Sequence, residues 1–484
     1  MLKFKCRLKI CTAQSLFLHF LKSCGIFFFM RSSIKAFVFI TFFVSGFGCK
    51  LNANSMEKTK LPETVVITGE KTGPYGDSSF LSILNQIILS HTISSGHEYY
   101  ISANVSTEGN GSSSLPFKTF SNALSKLSAG DTLYVMSGTY YEQIILDSSL
   151  RGNQNAYITI AAVQNNANDS VINGHNAEDD FMLMKIEGAA YVRISGLCFK
   201  DSHGMYAGGI QIGSGSNHII VDNCNFSDIK VPDPKIKDHV ANGILCYGEE
   251  DDASINNILI YNNNFFDMAT GWGECISVVA NCEFVNIIHN TVDGTGNIGI
   301  DVGGNYGYCK NPALDFVRYV YIAENTVKNC ESAYGNTSYG IYSDGGQHIH
   351  IYNNTVEKCS GGIEVGAEEP QKSKLYATHD VLIENNTVSY SEECALAIGG
   401  YKKDLGLVSS VKAEKNTFIN NANKEDGSLI SISKCDGVLI TENSFIHNDG
   451  VFKGSVLYKA LPKAYSKNVS IKNNFYTGLD SADE

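Results

Sequence analysis

The chain has 484 residues, 43% of them hydrophobic and 18% charged, and a formal net charge of −13. Such a surface repels a phosphate backbone, which excludes nucleic acid as a partner, and a polyanionic substrate would need local cations or a bound metal to offset the same repulsion. Glycine is abundant (45) and proline scarce (8). Asparagine, threonine and β-branched residues are plentiful, the composition of a β-rich, turn-rich protein.

Residues 1–49 read as a leader. Two apolar runs lie there, SLFLHFL with GIFFF and then AFVFITFFVSGFG. The second follows a short basic stretch, MRSSIK, so Met30 reads as the true start and residues 1–29 as upstream translation. A basic segment, an apolar segment and then small residues describe an export signal. The signal ends at GFGCK, and Cys49 resembles the lipidated N-terminus of a bacterial lipoprotein. The expected location is the cell envelope or surface, the periplasm or the medium, with membrane contact only through a lipid anchor. Residues 50–98 are polar and irregular and read as a spacer. The remainder, 99–484, reads as one domain and a monomer.

From residue 99 onward a short pattern recurs: an aliphatic residue, two polar residues, asparagine, a small polar residue, then valine or phenylalanine. IAENTV (322–327), IYNNTV (351–356), IENNTV (383–388) and ITENSF (440–445) are examples. The asparagines are Asn263, Asn290, Asn325, Asn354, Asn386, Asn416, Asn443 and Asn474, spaced 27 to 35 residues apart. A second pattern lies between them, as in GGIQIG (208–213), IGIDVG (298–303), YGIYSD (339–344) and GGIEVG (361–366). Each period therefore holds at least two short strands joined by turns, too close together for helices to intervene. Stacking the periods yields an all-β solenoid, a parallel β-helix, in which the asparagines form a ladder. Cys330 and Cys359 each fall five residues after a ladder asparagine and read as a buried thiol pair, or a disulfide after export.

At the start of the domain, YYIS (99–102) precedes FSNALSKL (120–127), in which Phe120, Ala123, Leu124 and Leu127 share one helical face. A short amphipathic helix here predicts a cap over the open end of the core. The run PFKTF, then AGDTLYVMSGTYYE, resembles the opening segment of secreted bacterial proteins of the pectate lyase-like superfamily. The resemblance covers roughly residues 99 to 475 and implies a right-handed parallel β-helix. It also implies kinship with polysaccharide lyases and related glycoside hydrolases, without naming a substrate.

Outward residues of neighbouring coils form columns about 4.8 Å apart. Aligning the second pattern gives the column Gln211, Leu245, Ser277, Asp301, Tyr342, Glu364 and Ala397, with Asp344 two residues beyond Tyr342 on the same face. Long segments follow these strands, notably GGNYGYCKNPALDFVRY (303–319) and GAEEPQKSKLYATHD (366–380), and they predict walls over the acidic column. Trp272 and Glu274, just before the neighbouring strand, are candidates for holding a sugar, and Tyr308 and Asp344 join them. Trp272 reads equally as a buried turn anchor.

Two enzymatic readings follow. Resemblance to the superfamily implies a polysaccharide lyase that acts by β-elimination on a uronic-acid glycan. A calcium ion or cationic side chain would neutralise the uronate, and a basic or phenolic side chain would take the proton. Asp301, Asp344 and Glu364 are then the calcium ligands, and Tyr342, Lys310 and Arg318 the candidate bases. No motif marks the lysine–arginine pair of the chondroitinase and alginate lyase branch, or the aspartate cluster of the pectate lyase branches. The second reading is a glycoside hydrolase of inverting type, with Asp301 and Glu364 as acid and base and Asp344 tuning one of them. A glycan-binding surface protein without chemistry is the third.

Overall fold

A computed structural model describes residues 73–90, 96–163, 168–175, 181–213, 215–335, 337–370, 377–400, 402–462 and 465–479. The leader, Met30 and Cys49 lie outside these residues. The described residues all fall in one compact unit.

One period shows how a coil is built. Ile276–Ala280, Cys282–Ile288 and Thr291–Thr295 are three successive strands, and the next period opens with Ile300–Gly303, paired parallel to the first. Repetition produces three parallel sheets that enclose a single core. Among the described residues sheet 1 has 13 strands, sheet 2 has 11 and sheet 3 has 12. This is the parallel β-helix the repeat predicted, of the right hand the resemblance implied. Alternation within each strand sends every second side chain inward, so Ile276, Val278, Ile300, Val302, Ile341, Ile363 and Val365 stack as continuous apolar ladders.

The asparagines form the predicted ladder at the turn from sheet 1 to sheet 3. Each Nδ2 donates to the Oδ1 of the next asparagine, from Asn263 to Asn290 (3.0 Å) through Asn354 to Asn386 (2.9 Å) and finally Asn443 to Asn474 (3.0 Å). The same Oδ1 accepts the backbone N–H of the preceding ladder residue, as Asn354 Oδ1 does from Asn325 (3.0 Å). The residue before each ladder asparagine turns the chain in the left-handed region, with φ between 52° and 59°. Cys224, in the asparagine slot of an earlier coil, still donates its backbone N–H to Asn263 Oδ1 (2.9 Å). Cys330 and Cys359 stack on adjacent coils as buried thiols joined by a hydrogen bond.

Two helices are found among the described residues. α2 (Phe120–Leu124) covers the N-terminal end of the core, burying Phe120 and Ala123. Thr119 caps it by accepting the Asn122 N–H, and Glu142 accepts the Phe120 N–H (3.0 Å). α1 (Ser78–Ser90) corrects the reading of residues 50–98 as spacer. Phe80, Leu84 and Ile87 recur at helical spacing and are fully buried against Ile220, Leu259, Tyr261 and Ile288 on the outer face of sheet 1. Asp77 caps α1, accepting from the Phe80 N–H (2.9 Å), and its other oxygen meets His218 at 2.8 Å. Glu98 already belongs to the first strand.

Replacing Asn354 with alanine removes an acceptor shared by two buried donors. At about 1–3 kcal/mol for each unsatisfied group, denaturant unfolding should show a loss of at least about 2 kcal/mol. Leu84→Ala should cost about 2–5 kcal/mol of local packing. Its effect should appear as faster amide exchange across residues 78–87 while the coils stay protected.

Candidate active site

The strand register confirms the column residue by residue. Gln211 pairs with Leu245, Leu245 with Ser277, Ser277 with Asp301, Asp301 with Tyr342, Tyr342 with Glu364 and Glu364 with Ala397. Two residues further along the strands, Asp344 pairs with Gly366, and Gly303 lies on its other side. Asp301 and Glu364 therefore stand two coils apart with Tyr342 between them, about 9.6 Å backbone to backbone. Asp344 sits between two glycines.

Those glycines leave room for the functional groups. A Cβ at Gly303 would lie 2.8 Å from the Tyr306 hydroxyl and 3.3 Å from Asp301 Oδ2. A Cβ at Gly366 would lie 2.8 Å from the Tyr342 hydroxyl and 3.2 Å from Glu364 Oε1. Neither position is in the left-handed region, so close approach is what favours glycine: side-chain atoms at Gly366, and at Gly303 also the Asp344 carbonyl oxygen, 2.9 Å from such a Cβ.

The segments after the strands wall this floor. Asp344 holds two of them at once: Tyr306 donates its hydroxyl to Asp344 Oδ2, and the Glu368 N–H donates to Oδ1 (2.6 Å). Asp315 organises the first wall from within, accepting the N–H groups of Gly307, Tyr308 (3.1 Å) and Cys309 (3.3 Å). Asp251 accepts the Asn311 N–H (3.0 Å) and links the 247–254 segment to that wall. The Gly406 N–H donates to Ala367 O (3.0 Å) and joins the 399–410 segment to the second wall. Tyr308 packs edge-on against Tyr247 (5.0 Å) and Tyr306 (5.6 Å), giving one side of the cleft an aromatic lining.

Enclosure sets the electrostatics. Asp301 and Asp344 are 2% and 1% exposed, and Tyr342 is buried. Glu364 keeps a strip of exposed surface, yet the walls exclude water from most of its surroundings. Burial, then Asp344 and Glu368, raise its carboxyl well above the ordinary value. Burial and the carboxylates of Asp344 and Glu364 likewise raise the Tyr342 hydroxyl well above its usual range. Both shifts favour the protonated forms of Glu364 and Tyr342.

Other expected residues lie apart. Arg318 is on sheet 1, where it pairs with Glu283 (3.0 Å) and donates to Asn281 Oδ1 (3.1 Å), because its strand belongs to the next face of the coil. Lys310 is exposed on the first wall. Trp272 lies at the opposite edge of sheet 2, stacked on Tyr334 (3.9 Å, 9° between planes) with the Lys237 ammonium 5.4 Å from its ring centroid. These partners at its ring fit its reading as a turn anchor. Glu274 is buried beside the column and accepts the Ser277 hydroxyl (3.1 Å). Tyr247, Tyr306 and Asp315 were not singled out from sequence. Only Tyr306 had a local signal, the NYGY that directly follows the Asp301 strand.

Away from the cleft, Asp201, His203 and Asp228 converge on sheet 3 with donor atoms within 4.8 Å of one another. The Lys230 ammonium already lies 2.8 Å from Asp228 Oδ1, so a cation balances that group.

Residues 317–476 match the family described as "Right handed beta helix region". Uncharacterized protein YwoF of Bacillus subtilis (strain 168) is 33% identical over 352 residues, covering 68% of this chain and 70% of the relative. The chain belongs to the YwoF family. Among solved structures, a GH136 lacto-N-biosidase from Eubacterium ramulus superposes with a TM-score of 0.57 at 14% identity, over 83% of this chain and 71% of that one. An exopolygalacturonase from Thermotoga maritima gives 0.49 at 10% identity, over 74% and 87%. The YwoF-family chain shares a fold with the lacto-N-biosidase, and its site must be argued from its own residues.

Replacing Asp344 with alanine should loosen both walls of the cleft. Amide exchange at residues 306–309 and 366–369 should rise at least about tenfold, the equivalent of one charge-assisted hydrogen bond of about 1.5 kcal/mol. The sheet 2 strands should keep their protection.

Proposed function

We propose that this protein is a carbohydrate-active enzyme that hydrolyses glycosidic bonds, with Glu364 as general acid and Asp301 as general base. The observation that carries the reading is the pairing of a carboxyl raised by burial and by Asp344 with a second carboxyl two coils away on one floor. Hydrolysis needs one carboxyl still protonated at neutral pH to protonate the leaving oxygen, and a second to activate water from the far side. A backbone spacing of about 9.6 Å, shortened by side-chain tilt, suits the separation of about 6.5–9.5 Å that leaves room for that water. Tyr342 between them donates to a ring or leaving oxygen. Asp344, with both oxygens engaged by the walls, acts as a positioning residue that also favours the protonated form of Glu364.

β-Elimination fits this site less well. Among the described residues Arg318 belongs to another sheet and Lys310 to an exposed wall, which leaves Tyr342 as the candidate base, and burial favours the protonated form of its hydroxyl. Calcium would have to draw on Asp344, whose oxygens hold Tyr306 and the Glu368 N–H, and on Glu364, which burial keeps protonated. The fold shared with the lacto-N-biosidase supports a glycan substrate, and the leader supports an exported enzyme. The reacting glycan is a neutral or weakly charged one, because uronates would meet three carboxyl groups.

Incubation with a glycan panel separates the readings. The expected result is an increase in reducing ends, without unsaturated products absorbing in the ultraviolet, and insensitive to chelator. Ultraviolet-absorbing products lost on chelation would restore the lyase. Binding with neither product would make the chain a glycan-binding protein.

Glu364→Gln should lower hydrolysis by at least about 100-fold. In the parent, rate should fall on the alkaline side as Glu364 loses its proton. The same substitution should stabilise the fold. Because the folded value of Glu364 is raised, its favourable contribution is full below the unfolded value of about 4.3 and is lost as pH rises through the folded one. Melting temperature of Glu364→Gln should therefore exceed that of the parent at pH 8 and match it near pH 4.

A further inference from the structure

Cover over the sheet 2 column is uneven. On the two coils before Asp301 the outward residues Asn242, Leu245, Tyr247, Glu274, Ser277 and Val279 are each at most 6% exposed. Leu245 is fully buried although its side chain points away from the core. Outward side chains of a sheet are buried only where something lies over them.

Both lips of the cleft lean over these coils. The first wall starts at Gly303 and runs back across two coils. Its Tyr308 ring reaches Tyr247 (5.0 Å), the Cys309 thiol donates to Gly248 O (3.3 Å), and the Asn311 N–H donates to Asp251 (3.0 Å). On the other edge Tyr334, from the turn before the Tyr342 strand, stacks back on Trp272 and donates its hydroxyl to Asn297 Oδ1 (2.7 Å). Past the acids, Glu364 and Ser431 keep exposed surface, with only the methyl of Ala397 between them. Asp301 therefore stands at the covered end and Glu364 at the end that meets solvent.

Chemistry gives this asymmetry a direction. In hydrolysis Glu364 gives its proton to the glycosidic oxygen as the bond from that oxygen to C1 breaks, and Asp301 takes a proton from the water whose oxygen bonds to C1. The departing part of the glycan lies on the acid's side. The cover begins at Ser277, one strand spacing of about 4.8 Å beyond Asp301, which leaves no floor there for a second sugar. We propose, on the basis of that hydrolase reading, that the enzyme acts from the chain end: the non-reducing terminal sugar is held between Asp301 and Glu364 against the covered end, and the rest of the glycan leaves over Glu364 toward Ala397 and Ser431. The first wall and Tyr334 are then the parts that set this specificity.

Two measurements test the proposal, and the first needs no substrate. Every cysteine among the described residues is buried, so an introduced thiol can be read against the parent as blank. With N-ethylmaleimide, Ser431→Cys should react at least about tenfold faster than Ser277→Cys. Equal rates would overturn the proposal whatever the substrate. The second measurement uses pentasaccharides of neutral hexoses and of N-acetylhexosamines labelled with aminobenzamide at the reducing end. The labelled chain should shorten one sugar at a time, and a 4,6-O-benzylidene group on the non-reducing terminal sugar should stop the reaction. Labelled monosaccharide or disaccharide among the first products would mark internal cleavage, which sinks the chain-end inference and leaves the hydrolase reading standing. Failure to cleave any pentasaccharide would remove the hydrolase reading and this inference with it. Asp251→Ala combined with Tyr308→Ala should free the first wall and raise both Ser277→Cys labelling and internal cleavage by about tenfold.

Discussion

Everything in this molecule depends on the coils keeping one phase, and the buried asparagine ladder enforces it. Each ladder amide is satisfied only if the next coil places its own asparagine one strand spacing away. A slip of one residue would strand two donors and turn the apolar side chains outward. Coil lengths vary from 27 to 35 residues along the ladder, yet the register survives because insertions are confined to turns. The segments that lengthen the coils most, beginning at Gly303 and Gly366, supply the walls of the cleft. The ladder thus allows the chain to elaborate one edge without disturbing the rest.

The cleft is built on the opposite principle from the ladder. The ladder satisfies every amide within rigid coils. The cleft crowds carboxyl groups together and buries them, and one of them, Asp344, organises the enclosure itself. By accepting from Tyr306 and from the Glu368 N–H it draws two walls over the column. Those walls exclude the water that would otherwise keep Glu364 and Tyr342 near their ordinary proton affinities. Positioning and proton affinity are consequences of one set of hydrogen bonds.

The parts legible in the sequence were those governed by repetition. The column from Gln211 to Ala397 could be aligned because each coil carries the same small-aliphatic pair, and the strand pairing reproduces it residue by residue. Non-repeating features were harder to read. Phe80, Leu84 and Ile87 have helical spacing, but they sit outside the repeat beside polar residues, and their partners on sheet 1 lie more than 130 residues away. Arg318 follows the first wall in sequence, which suggested proximity, but the chain has by then turned onto another sheet. Trp272 read equally as a sugar platform and as a turn anchor, and its stacking partner, Tyr334, lies 62 residues later. Tyr306 and Asp315 act through wall geometry, which no period encodes.

A site of this kind places opposing demands on the fold. Buried like charges oppose folding, and the column contains enough of them that removing one should stabilise the chain. A flexible scaffold would relieve the strain by letting the carboxyls part or admit water. Here Asp301, Tyr342 and Glu364 are fixed by parallel pairing on three consecutive strands, each anchored inward by Ile300, Ile341 and Ile363 at full burial. Rotation of any one strand would expose an isoleucine and break the ladder on the far side of the coil. The solenoid can therefore hold an unfavourable arrangement of acids in place, and that arrangement keeps Glu364 protonated beside its partner.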